Sequence, residues 1–372
     1  MSRPACLIFS NYQMRPTDGG PSGFLAQNLL GHESPYYRLG QFHGEPPRSR
    51  WQRIRQGYAC YDRMRTLRKI GLAPDSHWGG WMLAARHTFK REHAGSYPFI
   101  WFHDVWTMAA CLDLLRPDQQ IILQAHCPEL PSEEAAGLGI GAADIRWTQE
   151  AQRHVFTRAD VVVFPTPGAR TIYESLLKPG AKVEYLLSGC QGLKPRCQLP
   201  FDSKNIYFLY LGRRNAIKGF DIIVDAFKQA YQQDSSLRLM LVGGGEPVQH
   251  PGVIDIGRSE EPAQWIANCD YFLNANRQSY FDLSVMEALS LGTPLIIACT
   301  TGHEFYAELS SPGITALLRA EAGSLAKAML YDRTKRSANA LATIANKRIF
   351  DEQLSSQRYR QRLEQMLQRL LA

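Results

Sequence analysis

The sequence predicts an α/β chain of two similar domains. Three observations carry this: the length, a set of wholly apolar runs of strand size, and a second strand–helix alternation that starts past residue 199. At 372 residues the chain exceeds what one hydrophobic core usually serves, and its 45% hydrophobic content suffices for two. Strands that are apolar throughout belong in parallel sheets covered by helices on both faces.

In the first half, a short strand over residues 5–10 leads into a glycine-bearing loop at residues 18–23, and a helical pattern begins near Phe24. Residues 99–102, 121–125 and 161–164 are further apolar runs, each ending at a polar or proline-containing turn. Together they predict one α/β domain over residues 1–198. The texture changes at Lys194-Pro195-Arg196 and Leu199-Pro200, which read as a linker. The alternation then restarts, with strands over 206–211, 237–242, 253–256, 271–273 and 295–298. Helices are expected over 220–232, 262–268 and 283–291, completing a second domain over 199–352. In the last segment, 353–372, Tyr359, Leu363, Met366, Leu367 and Leu370 recur at helical spacing, and this helix is expected to cross back to the first domain. Open parallel sheets bind ligands beyond the carboxyl ends of their strands, so two such domains facing each other would form one deep cleft.

Lys and Arg total 42 against 35 Asp and Glu, a formal charge of +7, which suits an anionic partner without naming it. The excess is concentrated in residues 48–72. There Arg48, Arg50, Arg53, Arg55, Arg63, Arg65, Arg68 and Lys69 face a single acid, Asp62, and Trp51, Ile54, Tyr58, Tyr61 and Met64 fall three and four apart. Such a helix either packs on its own domain or rests on an anionic membrane surface. The 8 cysteines are scattered, with no C-x-x-C pair and no zinc spacing, and read as small apolar residues of a reducing compartment. No apolar run approaches the roughly eighteen residues that span a bilayer, and residues 6–9 are too short a run for a signal peptide. A cytoplasmic location is expected, at most peripheral at the inner face of the membrane. No motif for reading nucleic acid is present, so no nucleic-acid partner is expected.

Two stretches carry chemistry. Residues 210–221 run from a strand into a loop with Gly212, Arg213, Lys218 and Gly219, placing a guanidinium fork and an ammonium charge where a diphosphate could sit. Residues 279–294 place Asp282, Leu283 and Ser284 at the start of a helix, whose open N–H groups and dipole favour a phosphate. Glu287 follows about one turn further along, its carboxylate able to accept hydrogen bonds from hydroxyls. The bland alternatives are a solvated loop and an ordinary capped helix.

With Phe281, Ala288, Gly292 and Pro294 in place, the two stretches together resemble glycosyltransferase family four, whose pattern couples a G-R…K-G segment to a segment close to E-x-F-G-L-x-x-x-E-A-x-x-x-G-x-P. That resemblance covers about the second half of the chain and implies the GT-B architecture of two facing Rossmann-like domains with an interdomain cleft. It implies that Arg213 and Lys218 bind the diphosphate of a nucleotide-sugar donor, and that residues 281–284 contact phosphate and sugar through backbone amides. It also implies that Glu287 holds the ribose. The sequence departs from the pattern at two positions. Ser279 stands where the first Glu is usual, and Asp282 replaces the glycine after the aromatic residue, so Ser279 and Asp282 are candidate contacts of altered kind.

The first half is similar to the family in Gly19 and Gly20 of the loop after the first strand, which would approach the donor, and in His103 and Asp104 on the acceptor side. His126 is the candidate contact to the transferred sugar and, with Arg213 and Lys218, the candidate catalytic set. The resemblance implies transfer with retention of anomeric configuration. No Asp-x-Asp dyad suited to a donor-bound metal ion occurs, so no metal or other cofactor is expected. The expected donor is a UDP-sugar in preference to a GDP-sugar, and the expected acceptor a glycan or lipid-linked glycan of bacterial surface polysaccharide synthesis. Two other readings stay open: a nucleotide-sugar epimerase of the same architecture, and a nucleotide-sugar-binding protein with weakened catalysis. A dinucleotide oxidoreductase is disfavoured, since neither first βα loop has G-x-G-x-x-G.

Overall fold

The computed structural model describes residues 4–44, 56–73, 75–195, 197–331 and 338–372. The chain forms two compact units. Met1–Phe164, Ile172–Leu186 and Arg362–Ala372 make the first, and Pro165–Thr171 with Leu187–Gln361 make the second.

The first unit is built on β1 (Cys6–Phe9), β2 (Tyr37–Leu39), β3 (Phe99–Phe102), β4 (Gln120–Leu123), β5 (Val161–Phe164) and β6 (Lys182–Tyr185). All pairings are parallel and the order is β2-β1-β3-β4-β5-β6. The apolar runs read from the sequence are its central strands, and residues of β1, β3, β4 and β5 are almost wholly buried. Both edge strands lie outside the expected set. In β6, Lys182 and Tyr185 are exposed, and β2 is three residues long, so neither carries the apolar signature of a strand buried on both faces. The first helix is Gly20–Leu29, one turn earlier than expected, because Pro21 fits the first turn, where no N–H is needed.

The second unit contains β7 (Ile206–Leu211), β8 (Leu237–Val242), β9 (Val253–Gly257), β10 (Tyr271–Asn274), β11 (Leu295–Ala298) and β12 (Ile314–Leu317). They are parallel in the order β12-β11-β10-β7-β8-β9. Counted from β7, this is the doubly wound 3-2-1-4-5-6 order read from its far edge, with the direction of winding reversing between β7 and β10. Of these strands, the edge strand β12, which is only half buried, escaped the sequence pattern. The helix Phe220–Gln233 buries Ile222, Ile223, Ala226, Phe227 and Ala230 against the sheet, at spacings of one, three and four.

Of the basic segment 48–72, residues 48–55 lie outside the described residues, and Gln56–Lys69 is helical. Among the described residues no helix is long and apolar enough to cross a membrane. The last helix is Ser356–Leu371, in which Tyr359, Leu363, Met366 and Leu367 are buried and Leu370 is half-buried.

One side chain ties the far edge of the second sheet. Asn346, on the helix Ala340–Ile349, is fully buried and its amide donates to the carbonyls of Thr293 and Gly313, each at 2.9 Å, while its oxygen accepts from Ser311 Oγ at 2.9 Å. Those carbonyls precede β11 and β12, so one amide fixes where both strands enter the sheet. Asn346→Ala takes this donor from the buried Thr293 carbonyl and leaves the Gly313 carbonyl only the Leu295 N–H, and is expected to cost about 1–3 kcal/mol, read as a lower urea midpoint.

Candidate active site

The switch point of the second sheet brings together the two loops that the sequence marks. The loop after β7 carries Arg213 and Lys218, and the segment after β10 carries residues 275–282. They touch directly. Gly219 has a φ of +60°, and a Cβ there would lie 1.9 Å from the Ala275 carbonyl oxygen, so only glycine fits. The Arg277 N–H donates to the Ile217 carbonyl at 3.0 Å, and the Arg277 guanidinium pairs with Asp221.

The two adjacent arginines have different duties. Arg214 has 2% of its side chain exposed, forks onto Asp255, donates to the Glu246 carbonyl at 2.7 Å and lies 5.4 Å over the Phe220 ring. It is a structural residue. Arg213 is exposed at the carboxyl end of β7, and the Tyr210 hydroxyl bonds to its carbonyl.

Lys218 does not face solvent as an open cation. Its ammonium pairs with Asp282, and both side chains are 17% exposed. Asp282 also accepts from Asn276 Nδ2 at 2.6 Å and lies 3.1 Å from Nε2 of the fully buried His303. Burial pushes its carboxyl up, but Lys218 and His303 outweigh that and hold it well below the usual carboxylate range. Asp282 is the N-cap residue of the helix Leu283–Ser290, yet its side chain makes no capping bond. The Lys218 ammonium, the His303 ring and the Asn276 amide draw it off, and the amides of the first turn keep no side-chain cap.

The side chains of Ser279 and Phe281 are turned inward, which leaves only their backbone groups for the contacts expected there. Ser279 is fully buried and its Oγ has no partner among the described residues, while its backbone N–H donates to Thr301 Oγ1 at 2.8 Å and its carbonyl accepts from Gly302 N at 2.9 Å. Phe281 is 7% exposed and stacks on Tyr306 with centroids 5.3 Å apart. Burial directs both side chains inward, so they set the backbone path of residues 282–284 from behind. Gly302 makes that path possible, since a Cβ there would lie 1.7 Å from the Tyr280 carbonyl oxygen. His303, supplied by the same turn, had no signal in the sequence pattern. Leu283, Ser284 and Glu287 are half-buried on the helix that follows. The Glu287 charge reaches the Cys190 thiol, which burial and then Glu287 push up.

The first unit brings its own candidates to the carboxyl ends of β1, β3 and β4, with the order reversing between β1 and β3. Gly19 and Gly20 open the first helix with nothing within 4 Å of a notional Cβ on either. Ser22 fastens the preceding loop, donating to the Gln13 carbonyl at 2.8 Å and bonding Asp18 at 3.0 Å. His103 and His126 share one hydrogen bond, Nδ1 to Nε2, at 2.9 Å. Trp101, His103 and His126 stack in succession with centroids 5.5 and 5.2 Å apart, and Phe24 lies 4.7 Å from the His126 ring. Burial pushes the His126 imidazole down to about 3 and, with His126 beside it, holds His103 well below the usual range. Both are neutral at pH 7, so His126 is a hydrogen-bonding group and not a cation. His103 is 1% exposed and Asp104 4% exposed, so these two reach a ligand only through their neighbours. Asp104 caps the helix Val105–Cys111, accepting from Thr107 N at 2.6 Å. Among the described residues no group of His, Cys, Asp and Glu is arranged to hold a metal ion.

Burial raises the Asp104 carboxyl to about 6, against opposing hydrogen bonds from Thr107. A raised carboxyl favours the folded state below the unfolded value near 4 and loses that contribution as pH rises through the folded value. Asp104→Asn keeps the cap and removes the titration. The stability difference between wild type and variant is therefore expected to shift by about 2 kcal/mol in the variant's favour between pH 4 and 7, read by urea unfolding at each pH.

A family model described as Glycosyl transferases group 1 matches residues 205–331, which contain the whole of the second-unit site. Among solved structures, sucrose-phosphate synthase from Thermosynechococcus elongatus is similar with a TM-score of 0.68 at 15% identity, over 100% of this chain and 99% of that one. The α,α-trehalose 6-phosphate synthase from Burkholderia multivorans has a TM-score of 0.61 at 13% identity, over 100% and 99% of the two chains. HepE from Anabaena, solved in complex with UDP and glucose, has a TM-score of 0.58 at 14% identity, over 90% and 86%. No curated protein sequence matches the chain. With two parallel, Rossmann-like sheets and the marked loops at the switch point inside the matched region, the chain has a GT-B fold whose residues 205–331 are similar to the group 1 glycosyltransferases.

Proposed function

We propose that this glycosyltransferase takes a nucleoside-diphosphate sugar in its second unit and transfers the sugar with retention of configuration. The observation that carries the reading is that the loop after β7, with Arg213 and Lys218, and the N-terminus of the helix Leu283–Ser290 lie on either side of the sheet's switch point within residues 205–331, where Lys218 pairs with Asp282. As the bond to the sugar breaks, negative charge builds on the departing diphosphate. Arg213, Lys218 and the amides of residues 282–284 stabilise it from fixed positions. Glu287 accepts from the ribose hydroxyls. His126, neutral and braced by His103, is the hydrogen-bonding group assigned to the transferred sugar, and Gly19 and Gly20 the donor-side turn. This chemistry needs no divalent ion.

UDP is the favoured nucleotide, a preference supported by the UDP and glucose bound to HepE. The acceptor is a glycan or lipid-linked glycan of bacterial surface polysaccharide synthesis, reached at the inner face of the cytoplasmic membrane through the basic segment 48–72. That segment's charge is what supports this part of the reading. A second reading, a nucleotide-sugar-binding protein with weakened catalysis, is favoured by the buried Ser279 in place of the usual Glu. It differs in showing binding without turnover, while an epimerase would convert donor with no acceptor present.

Calorimetric titration with UDP, GDP, dTDP, ADP and CMP tests the donor site. UDP is expected to bind most tightly, and Arg213→Ala, Lys218→Ala and Glu287→Ala are each expected to weaken it about tenfold or more, or about 1.4 kcal/mol. Binding of none of the five refutes the reading. Sugar transfer abolished by EDTA and restored by Mg²⁺ would remove the metal-free part of it alone.

A further inference from the structure

The Asp282 carboxylate is held in the way a phosphate oxygen would be. The Lys218 ammonium, the Asn276 amide at 2.6 Å and the His303 ring at 3.1 Å converge on it from three loops, at the N-terminus of the helix Leu283–Ser290. His303 Nε2 also lies 3.3 Å from the Asp282 N–H. One nitrogen cannot donate to the carboxylate and accept from the amide at once, and a charged acceptor is the stronger attraction. With that ring proton directed at the carboxylate, the Asp282 N–H gives up this acceptor and joins the uncapped amides of the first turn. Glycine, usual at this place in the pattern, would leave Lys218, Asn276 and His303 facing that helix terminus without a carboxylate among them.

We propose that Asp282 is an internal counter-ion occupying the donor's phosphate site: it holds Lys218 in the unliganded protein and must release that ammonium before a donor phosphate can take it. The inference rests on the donor-site reading above and adds a residue that sets its affinity. A carboxylate on the same ammonium repels any incoming phosphate, and in a site this enclosed that repulsion is only partly screened. Donor uptake therefore includes turning Asp282 away, and the chain binds nucleoside diphosphate more weakly than its cations alone would allow. An ordinary structural ion pair would behave oppositely, since removing its acid would disorder Lys218 and weaken binding.

The experiment is calorimetric binding of UDP, with inorganic pyrophosphate as a second probe, to wild type, Asp282→Asn, Asp282→Gly, Lys218→Ala and the double variant Asp282→Asn/Lys218→Ala. Asp282→Asn is nearly isosteric and keeps partners for Asn276 and His303, and its melting curve establishes that it folds. Both Asp282 variants are expected to bind UDP about tenfold or more tightly than wild type, with the gain lost in the Lys218→Ala background. UDP binding to Asp282→Asn that equals or falls below that of wild type overturns the inference and leaves the donor site standing. A gain that survives Lys218→Ala overturns competition for that ammonium. Absence of UDP binding in wild type and every variant overturns the donor-site reading, and the inference with it.

Discussion

The site depends on one topological constraint, the reversal of winding between β7 and β10. These strands are neighbours in the sheet, but the chain leaves β7 towards β8 and leaves β10 towards β11, on opposite sides. Their loops must part at the carboxyl edge, and a crevice opens there without any special side chain. Each lip then contributes what its own helix start supplies. Lys218 comes from the loop before Phe220–Gln233, and Asp282 from the residue before Leu283–Ser290. Their ion pair spans the reversal.

The two candidate sites treat buried polar groups in opposite ways. At the second sheet, charges are buried in company: Asp282 keeps its charge because an ammonium and two further donors surround it. At the carboxyl ends of β3 and β4, His103, His126 and Asp104 have no such partner among the described residues, and burial favours the uncharged form of each. The imidazoles of His103 and His126 give up the proton, and Asp104 holds its proton more tightly than an ordinary carboxyl. The first arrangement suits an anionic ligand, and the second suits hydroxyl groups that exchange hydrogen bonds without net charge.

The central strands and the helix Phe220–Gln233 were legible in the sequence, because burial on both faces writes an unbroken apolar run and a one-sided helix writes a three-to-four spacing. Edge strands β2, β6 and β12 were not, since half-exposed residues write no unbroken apolar run, although the edge strand β9 was read despite similar exposure. The marked loops were legible by residue type but not by partner. Nothing in residues 279–294 says that Asp282 meets Lys218, 64 positions away, or a histidine 21 positions on. Partner choice is decided by which loops the sheet order brings to one edge. The same limit separates Arg213 from Arg214: adjacent and chemically identical, they differ only in that Asp255 from β9 faces one of them. It also explains Ser279 and Phe281, whose inward direction follows from the turn carrying Gly302 and not from their own identity.

The contact between Gly219 and Ala275 bears on how this chain can vary. The loops after β7 and β10 are registered against each other at Gly219 and again where Arg277 meets the Ile217 carbonyl. Neither can gain or lose a residue alone without breaking both points. The stretch between β8 and β9 has more latitude, since several of its residues are exposed. Length variation among related chains is therefore channelled away from residues 212–219 and 275–282. Diversity at the switch point has to come by exchanging side chains on a backbone of constant length, and a carboxylate at position 282 is an exchange of that kind.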